Sequence, residues 1–353
     1  MDNPLAVDLN HILAHTEGLW EELRGQRLFI TGGTGFFGQW MLESFIWAND
    51  KLGLDATAVV LTRNPGAFRK RNPRLATHPA VQFRVGDVRS FEFPSVSSSH
   101  IIHMATEASA KLNLENPLLM LDTIVQGTRH VLDFAHYCGA KRFLLTSSGA
   151  IYGKQPPNIT NIPEDYVGAP DTMNPCSAYG EGKRLAEHLC ALYNKEYGIE
   201  AKIARCFAFV GPYLPLDTHF AIGNFIRDGI KGGPIRVKGD ATPYRSYLYA
   251  ADLAIWLWTI LFRGAACRPY NVGSEKGITI AEVAHTVAGA LHPPVEVKIQ
   301  EKSISGKIHE RYVPLTQRAL LELHLRQTIG LEEAIKRTIR YNLRALVGPE
   351  RRA

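Results

Sequence analysis

An α/β fold, a doubly wound parallel sheet with a smaller mixed portion at the C-terminal end, is what this sequence predicts, and three observations predict it. Short apolar runs ending at Thr31, Leu61, Val85, Met104, Ser147 and Ala204 recur along the chain. They are too continuous for strands with one wet face, which is the pattern of a parallel sheet covered on both sides. Most stretches between them hold a helix: Leu121, Ile124, Val125, Thr128 and Leu132, then Leu185, Leu189 and Leu192, recur at helical spacing. Finally, the first run passes directly into a glycine turn, Gly32-Gly33-Thr34-Gly35-Phe36-Phe37-Gly38.

The chain divides by composition into residues 1–25, 26–210 and 211–353. The first segment reads as an amphipathic helical extension with Leu9, Ile12 and Leu13 on one side, followed by Leu19 and Leu23. The second carries the strand–helix alternation. In the third the alternation weakens while Gly, Pro and aromatic residues rise, marking a smaller substrate-binding portion from which one strand of the sheet can still be drawn. There is no internal repeat.

With 353 residues, 45% hydrophobic and 21% charged, the chain has ordinary globular composition and room for a full core. The formal charge of +6 is spread along the chain rather than clustered, so nucleic acid is not expected as a partner. Its densest basic run, residues 63–74, reads as a solvated loop. Five cysteines without a CxxC pair or metal spacing fit a reducing cytoplasm and predict no metal site. The N-terminus lacks the apolar core of a signal peptide, and the most apolar stretch, residues 253–262, is far shorter than the roughly 20 residues of a membrane span. A soluble, cytoplasmic protein is expected.

The glycine turn gives the first chemical expectation. Gly32 permits a tight turn, Gly35 lets backbone N–H groups approach a pyrophosphate, and Gly38 lets the following helix pack on the strand. Alone, such a motif is also a glycine-rich surface turn. Following a strand and opening a helix at the head of a βαβ series, it predicts a Rossmann dinucleotide site. The second strand normally ends near an acid for the adenosine ribose. Here it ends Leu61-Thr62-Arg63-Asn64, with Arg63 where a 2′-phosphate would sit, which favours NADP over NAD. A surface arginine reads the same way. Asp87, after the third strand, is placed to accept from the adenine amino group or is simply a turn residue.

Tyr179 and Lys183 lie four apart at the head of a helix and so share a face. An unperturbed Tyr titrates near ~10, and a nearby cation makes it a usable base. Ser148 follows the strand Phe143 to Thr146, and strand ends in such sheets face the ligand crevice. Its hydroxyl is placed to bond the substrate oxygen that exchanges a proton with Tyr179. Surface tyrosine and turn serine are the bland readings of each part taken singly.

Several spaced segments together carry a resemblance: the 31–38 turn, Asp87 with Val88, His103-Met104-Ala105, Ser147-Ser148, Tyr152-Gly153, Tyr179/Lys183, Arg205-Cys206-Phe207, Gly211-Pro212, residues 237–240, Arg245-Ser246-Tyr247, residues 270–273 and Arg311. In this order they resemble the extended short-chain dehydrogenase/reductases, and within them the NAD-dependent epimerase/dehydratase family that modifies nucleotide sugars. The resemblance implies catalysis by Ser148, Tyr179 and Lys183. It implies cofactor contacts from Phe36, Phe37, Asp87, Val88, Met104, Ala105, Tyr179 and Lys183. It further implies a nucleotide-diphosphate sugar lined by Ser148 and Gly149, its base flanked by Val237 and Gly239, its diphosphate held by Arg245 and Arg311. A homodimer through the helices of Leu121–132 and Leu185–192 is implied as well.

Departures from the family pattern narrow the reaction. Dehydratases carry Asp-Glu directly after the residue matching Ser148, and sugar decarboxylases keep the Glu; here the positions are Gly149 and Ala150. Neither can shuttle a proton, which dehydration requires. Two further departures put Ala208 and Ile124 where Asn is usual. The expectation is therefore a 4-epimerase or 4-keto reductase, with a 4,6-type dehydratase using another acid such as Glu181, or a non-catalytic dinucleotide-binding regulator, as alternatives.

Overall fold

In a computed structural model, residues 3–106, 109–218, 220–301 and 309–347 are described. Six strands appear where the apolar runs predict them: β1 (Arg27–Thr31), β2 (Thr57–Thr62), β3 (Val81–Val85), β4 (His100–His103), β5 (Arg142–Ser148) and β6 (Glu200–Cys206). They pair in parallel in the order β6-β5-β4-β1-β2-β3, and the strand Pro269–Val272 adds to the β6 edge as a seventh. The chain winds outward from β1 to β3 and then returns to β4 on the other side of β1. That reversal leaves a crevice at the C-terminal ends of β1 and β4, where Thr31 and His103 stand side by side.

The helices obey their end signals. Phe36–Leu52 starts from an extended Gly35 and stops at Gly53, whose φ of 57° is left-handed. Pro117–Cys138 is capped by the Asn116 side chain, which accepts from Leu119 N, and stops at the left-handed Gly139. Ala178–Tyr197 stops in the same way at Gly198.

Residues beyond 210 are bound into the first unit more deeply than composition implied. They supply the seventh strand, and they supply the helix Ala250–Arg263, buried along almost its whole length. The N-terminal extension also has a job. Its helix Ala6–His15 buries Leu9 and Ile12 against Phe36–Leu52 and Ala250–Arg263. Asp8 accepts from Tyr249 Oη at 2.8 Å and pairs with Arg337. One expectation is corrected: residues 63–74 form no solvated loop but two short helices, Pro65–Arg71 and Pro73–Ala76. Phe68 and Leu75 anchor them in the core, Asn64 caps the first through Ala67 N at 2.9 Å, and Arg74 pairs with the buried Glu43. Among the described residues no helix is long and apolar enough to cross a membrane.

Candidate active site

The glycine turn is closely packed for backbone reasons. Gly32 has φ +72°, and a Cβ there would lie 2.6 Å from the Met104 carbonyl carbon. A Cβ on Gly38 would lie 2.3 Å from Gly32 O, so helix and turn can meet only without side chains. The N-terminus at Gly35–Phe36 has no side-chain cap. Its unsatisfied N–H groups and the helix dipole open on the ends of β1 and β4, a setting that fits a pyrophosphate. Met104 and Ala105 form the opposite wall, fixed by Met104 N to Thr31 O (3.1 Å) and Ala105 N to Thr31 Oγ1 (3.1 Å). Behind them, His103 bridges Thr31 Oγ1 (2.7 Å) and Thr128 Oγ1 (3.1 Å). Burial holds its imidazole neutral, down at about 3.

Arg63 is exposed just beyond β2, and its charge is felt by Asp87 beyond β3. Asp87 is not a loose turn residue. The Arg89 guanidinium grips it with two bonds of 2.9 Å and Arg89 N adds a third at 2.9 Å, so its carboxyl is pulled down to about 2. Arg89 escaped sequence reasoning because nothing in its neighbourhood marks it. Val88 nests on Gly127, where a Cβ would come within 2.9 Å of it.

The three chemical residues do converge. The Asn113 side chain accepts from Tyr179 N at 3.0 Å, fixing the start of the helix that carries Tyr179 and Lys183. Burial raises the Tyr179 phenol, and the nearby Ser148 hydroxyl lowers it in part. Lys183 is buried and donates to Thr146 O and Thr106 Oγ1, both at 2.8 Å. Burial pushes its ammonium down to about 8. Its Nζ lies 6.0 Å from the Tyr179 ring centre, so it acts on the phenol only through space. Thr106 was not foreseen. Ile124, where Asn is usual, packs instead against Gly182, bringing the helices Pro117–Cys138 and Ala178–Tyr197 together. Glu181, two residues from Tyr179, is turned about 200° round the helix from it and does not join the centre.

Gly149 differs most from a sequence view. A Cβ there would meet Phe207 Cε1 and Cζ at 2.7 Å and Tyr312 Oη at 2.8 Å. The space above Gly149 is filled by two rings tilted 38° to one another, with centres 4.7 Å apart. Tyr312, from the distant strand Arg311–Tyr312, reaches Ser148 Oγ at 3.4 Å. No local signal marks either aromatic residue.

The C-terminal candidates separate. Strand Arg311–Tyr312 pairs in parallel with Tyr244–Arg245, matching Arg311 to Tyr244 and Tyr312 to Arg245. Paired residues share a face and neighbours alternate, so Arg245 lies on the Tyr312 side and Arg311 on the other. Arg311 stacks over Tyr244 at 4.3 Å and donates to Thr160 O at 3.3 Å. The two arginines expected to share one diphosphate thus face opposite ways. Val237 is buried in the core and its carbonyl accepts from Gln300 N at 3.1 Å, whereas Gly239, at φ +73°, is open on its Cβ side.

A doubly wound sheet with a glycine-bounded crevice and a Ser–Tyr–Lys centre at its edge defines an extended short-chain dehydrogenase/reductase. A family model described as "NAD dependent epimerase/dehydratase family" matches residues 28–273, and the chain belongs to that family. Among relatives, UDP-glucuronic acid decarboxylase 3 of Arabidopsis thaliana is 33% identical over 278 residues, 78% of either chain. The UDP-glucose 4-epimerase of Thermus thermophilus, solved in complex with NAD, is 26% identical with a TM-score of 0.73, covering 89% of this chain and 98% of its own. The UDP-glucose 4-epimerase of Thermotoga maritima shares the fold with a TM-score of 0.76 at 20% identity, covering 91% of this chain and 99% of its own.

Proposed function

We propose that this protein is an NADP(H)-preferring enzyme acting at C4 of a nucleotide-diphosphate sugar, as a 4-epimerase or a 4-keto reductase. One observation carries the reading. Ser148, Tyr179 and Lys183 meet at the end of β5, while Gly149 and Ala150 supply no carboxylate and Phe207 and Tyr312 fill the space above Gly149. Such a site can move a proton on and off one oxygen but offers no second acid–base pair for removing water.

A nicotinamide, when bound, would supply hydride exchange at C4. Tyr179 exchanges the proton of the C4 oxygen, and Ser148 orients that oxygen. Lys183, anchored on Thr146 O and Thr106, presents its ammonium to the nicotinamide ribose and holds charge that favours the ionised phenol. Gly32, Gly35 and Gly38 hold the pyrophosphate with the helix N-terminus, Met104 and Ala105 wall the nicotinamide side, and Asp87 with Val88 bounds the adenine. Arg63 selects the 2′-phosphate. Arg245, on the Tyr312 side, takes the diphosphate; Arg311 supports the site by holding Tyr244. The assembly is a homodimer through helices Pro117–Cys138 and Ala178–Tyr197, which leave Leu118, Leu185 and Leu192 exposed.

The decarboxylase relatives favour a second reading. A sugar oxidised at C4 with a carboxylate on C5 is a β-keto acid and loses carbon dioxide with little help, so the missing Glu does not bar it. Mass spectrometry of a panel of nucleotide sugars, with and without NADPH, separates the outcomes. A gain of two hydrogens marks a reductase, unchanged mass with new retention an epimerase, loss of carbon dioxide a decarboxylase and loss of water a dehydratase. No change across the panel, with cofactor bound, supports a dinucleotide-binding regulator.

A further inference from the structure

We propose that Tyr312 is a positioning residue that fixes the Ser148 hydroxyl as a hydrogen-bond donor toward Tyr179 and the sugar oxygen. The inference rests on the reading of Tyr179 as the proton-exchanging group.

A serine hydroxyl has one proton to give and two lone pairs to receive with. Ser148 Oγ already accepts from Ala150 N at 3.1 Å, as the cap of the turn Gly149–Tyr152. Tyr312 Oη approaches it at 3.4 Å, and the Ser148 hydroxyl lowers the nearby Tyr179 phenol, the sense expected of a Ser148 donor. If Tyr312 donates, both lone pairs are taken and the Ser148 proton has nowhere to point except toward Tyr179 and whatever oxygen lies beside it. If Tyr312 instead accepted, the Ser148 proton would turn away from the reacting atom. Burial keeps the Tyr312 phenol protonated well past the neutral range, so it carries a proton to give to Ser148 wherever the enzyme works. The 3.4 Å separation is long, as such contacts commonly are before substrate is bound.

Tyr312 is also held where a donor of fixed direction is needed. Its ring packs at a tilt against Phe207, centres 4.7 Å apart, and its hydroxyl lies where a Cβ on Gly149 would come within 2.8 Å. The next residue, Val313, is pinned by N–H donation to Gln155 Oε1 (3.0 Å) and by accepting from Ile162 N (2.9 Å). Gly149 thus has a reading besides the loss of an acid: any side chain there would push the Tyr312 hydroxyl away from Ser148.

The test follows ionisation of Tyr179 in the NADP-loaded protein, by phenolate ultraviolet absorbance from about pH 6 to 11. The Tyr179 signal is the difference between each protein and its Tyr179→Phe counterpart, which removes the other tyrosines. Tyr312→Phe keeps the ring and its packing, and an unchanged melting temperature verifies the fold. An oriented Ser148 donor stabilises the Tyr179 phenolate, so in Tyr312→Phe the midpoint rises by ~0.5 unit or more. In a Ser148→Ala background the same substitution produces no further rise, because Tyr312 acts through Ser148. An unchanged midpoint in Tyr312→Phe overturns the proposal, and so does an equal shift without Ser148. Failure of the underlying reading looks different: Tyr179→Phe itself would then turn over sugar nucleotides normally.

Discussion

Replacing Tyr179 by Phe removes one oxygen atom and leaves a ring that packs among buried apolar residues near helix Pro117–Cys138. The fold should barely notice. Ser148 keeps Ala150 N and Tyr312 as neighbours, so the cost is that of one ordinary hydrogen bond, about 0.5–1.5 kcal/mol. Turnover should suffer far more, since a positioned acid–base group contributes roughly 100- to 10,000-fold. The structure argues for the upper half of that range. The Lys183 ammonium is tied to Thr146 O and Thr106 and stands 6.0 Å from the Tyr179 ring centre, so it cannot take over the proton. Ser148 has only a neutral hydroxyl. A loss of ~1,000-fold or more corresponds to about 4 kcal/mol of barrier. Single-turnover change in nicotinamide absorbance measures the step, and a fluorescence titration shows cofactor binding nearly intact. Wild-type turnover by Tyr179→Phe would refute the argument, and a dinucleotide-binding regulator would become the leading reading.

Further outcomes are expected at other positions. Arg63→Ala should weaken NADP binding and leave NAD binding alone; equal NADP affinity in both proteins removes the 2′-phosphate role. Gly38→Ala should abolish cofactor binding and lower the melting temperature, because its Cβ would lie 2.3 Å from Gly32 O, backbone against backbone; an unaffected titration contradicts that. His103, held neutral at about 3 against 6.5 unfolded, contributes stability that is complete above about 6.5 and lost as pH falls toward 3. In His103→Gln the dependence of unfolding free energy on pH across that window should flatten by up to ~1.4 kcal/mol per unit, and parallel curves would show the imidazole is not the group responsible. Leu185→Glu with Leu192→Glu, at positions 43% and 42% exposed, should yield a monomer by light scattering while the wild type is a dimer; a monomeric wild type ends the dimer proposal.

Much of this protein was legible along the chain because its determinants are local. A parallel sheet buried on both faces demands continuous apolar runs, and β1 to β6 end within two residues of where those runs end. The glycine turn is likewise local, since Gly32 and Gly38 answer to backbone approaches inside one βαβ unit. Tyr179 and Lys183 are one helical turn apart, so their shared face follows from helix geometry alone. The sequence by itself determined the fold class, the close-packed glycine turn and the shared helix face of Tyr179 and Lys183.

What tertiary structure decided depends on segments far apart in sequence. Tyr312 meets Ser148 across 164 positions, and Asp8 meets Tyr249 across 241, so no periodicity could report either. Arg245 and Arg311 look equivalent as charges, yet the register of their two strands sends them to opposite faces. Lys183 reads in sequence as a cation near Tyr179, but where its donors go is a tertiary matter: a buried ammonium must satisfy them, and Thr146 O and Thr106 do so. Gly149 read as the absence of a carboxylate. Only packing shows that Phe207 and Tyr312 occupy that volume, because side-chain volume is contested in three dimensions and leaves no mark on the local pattern.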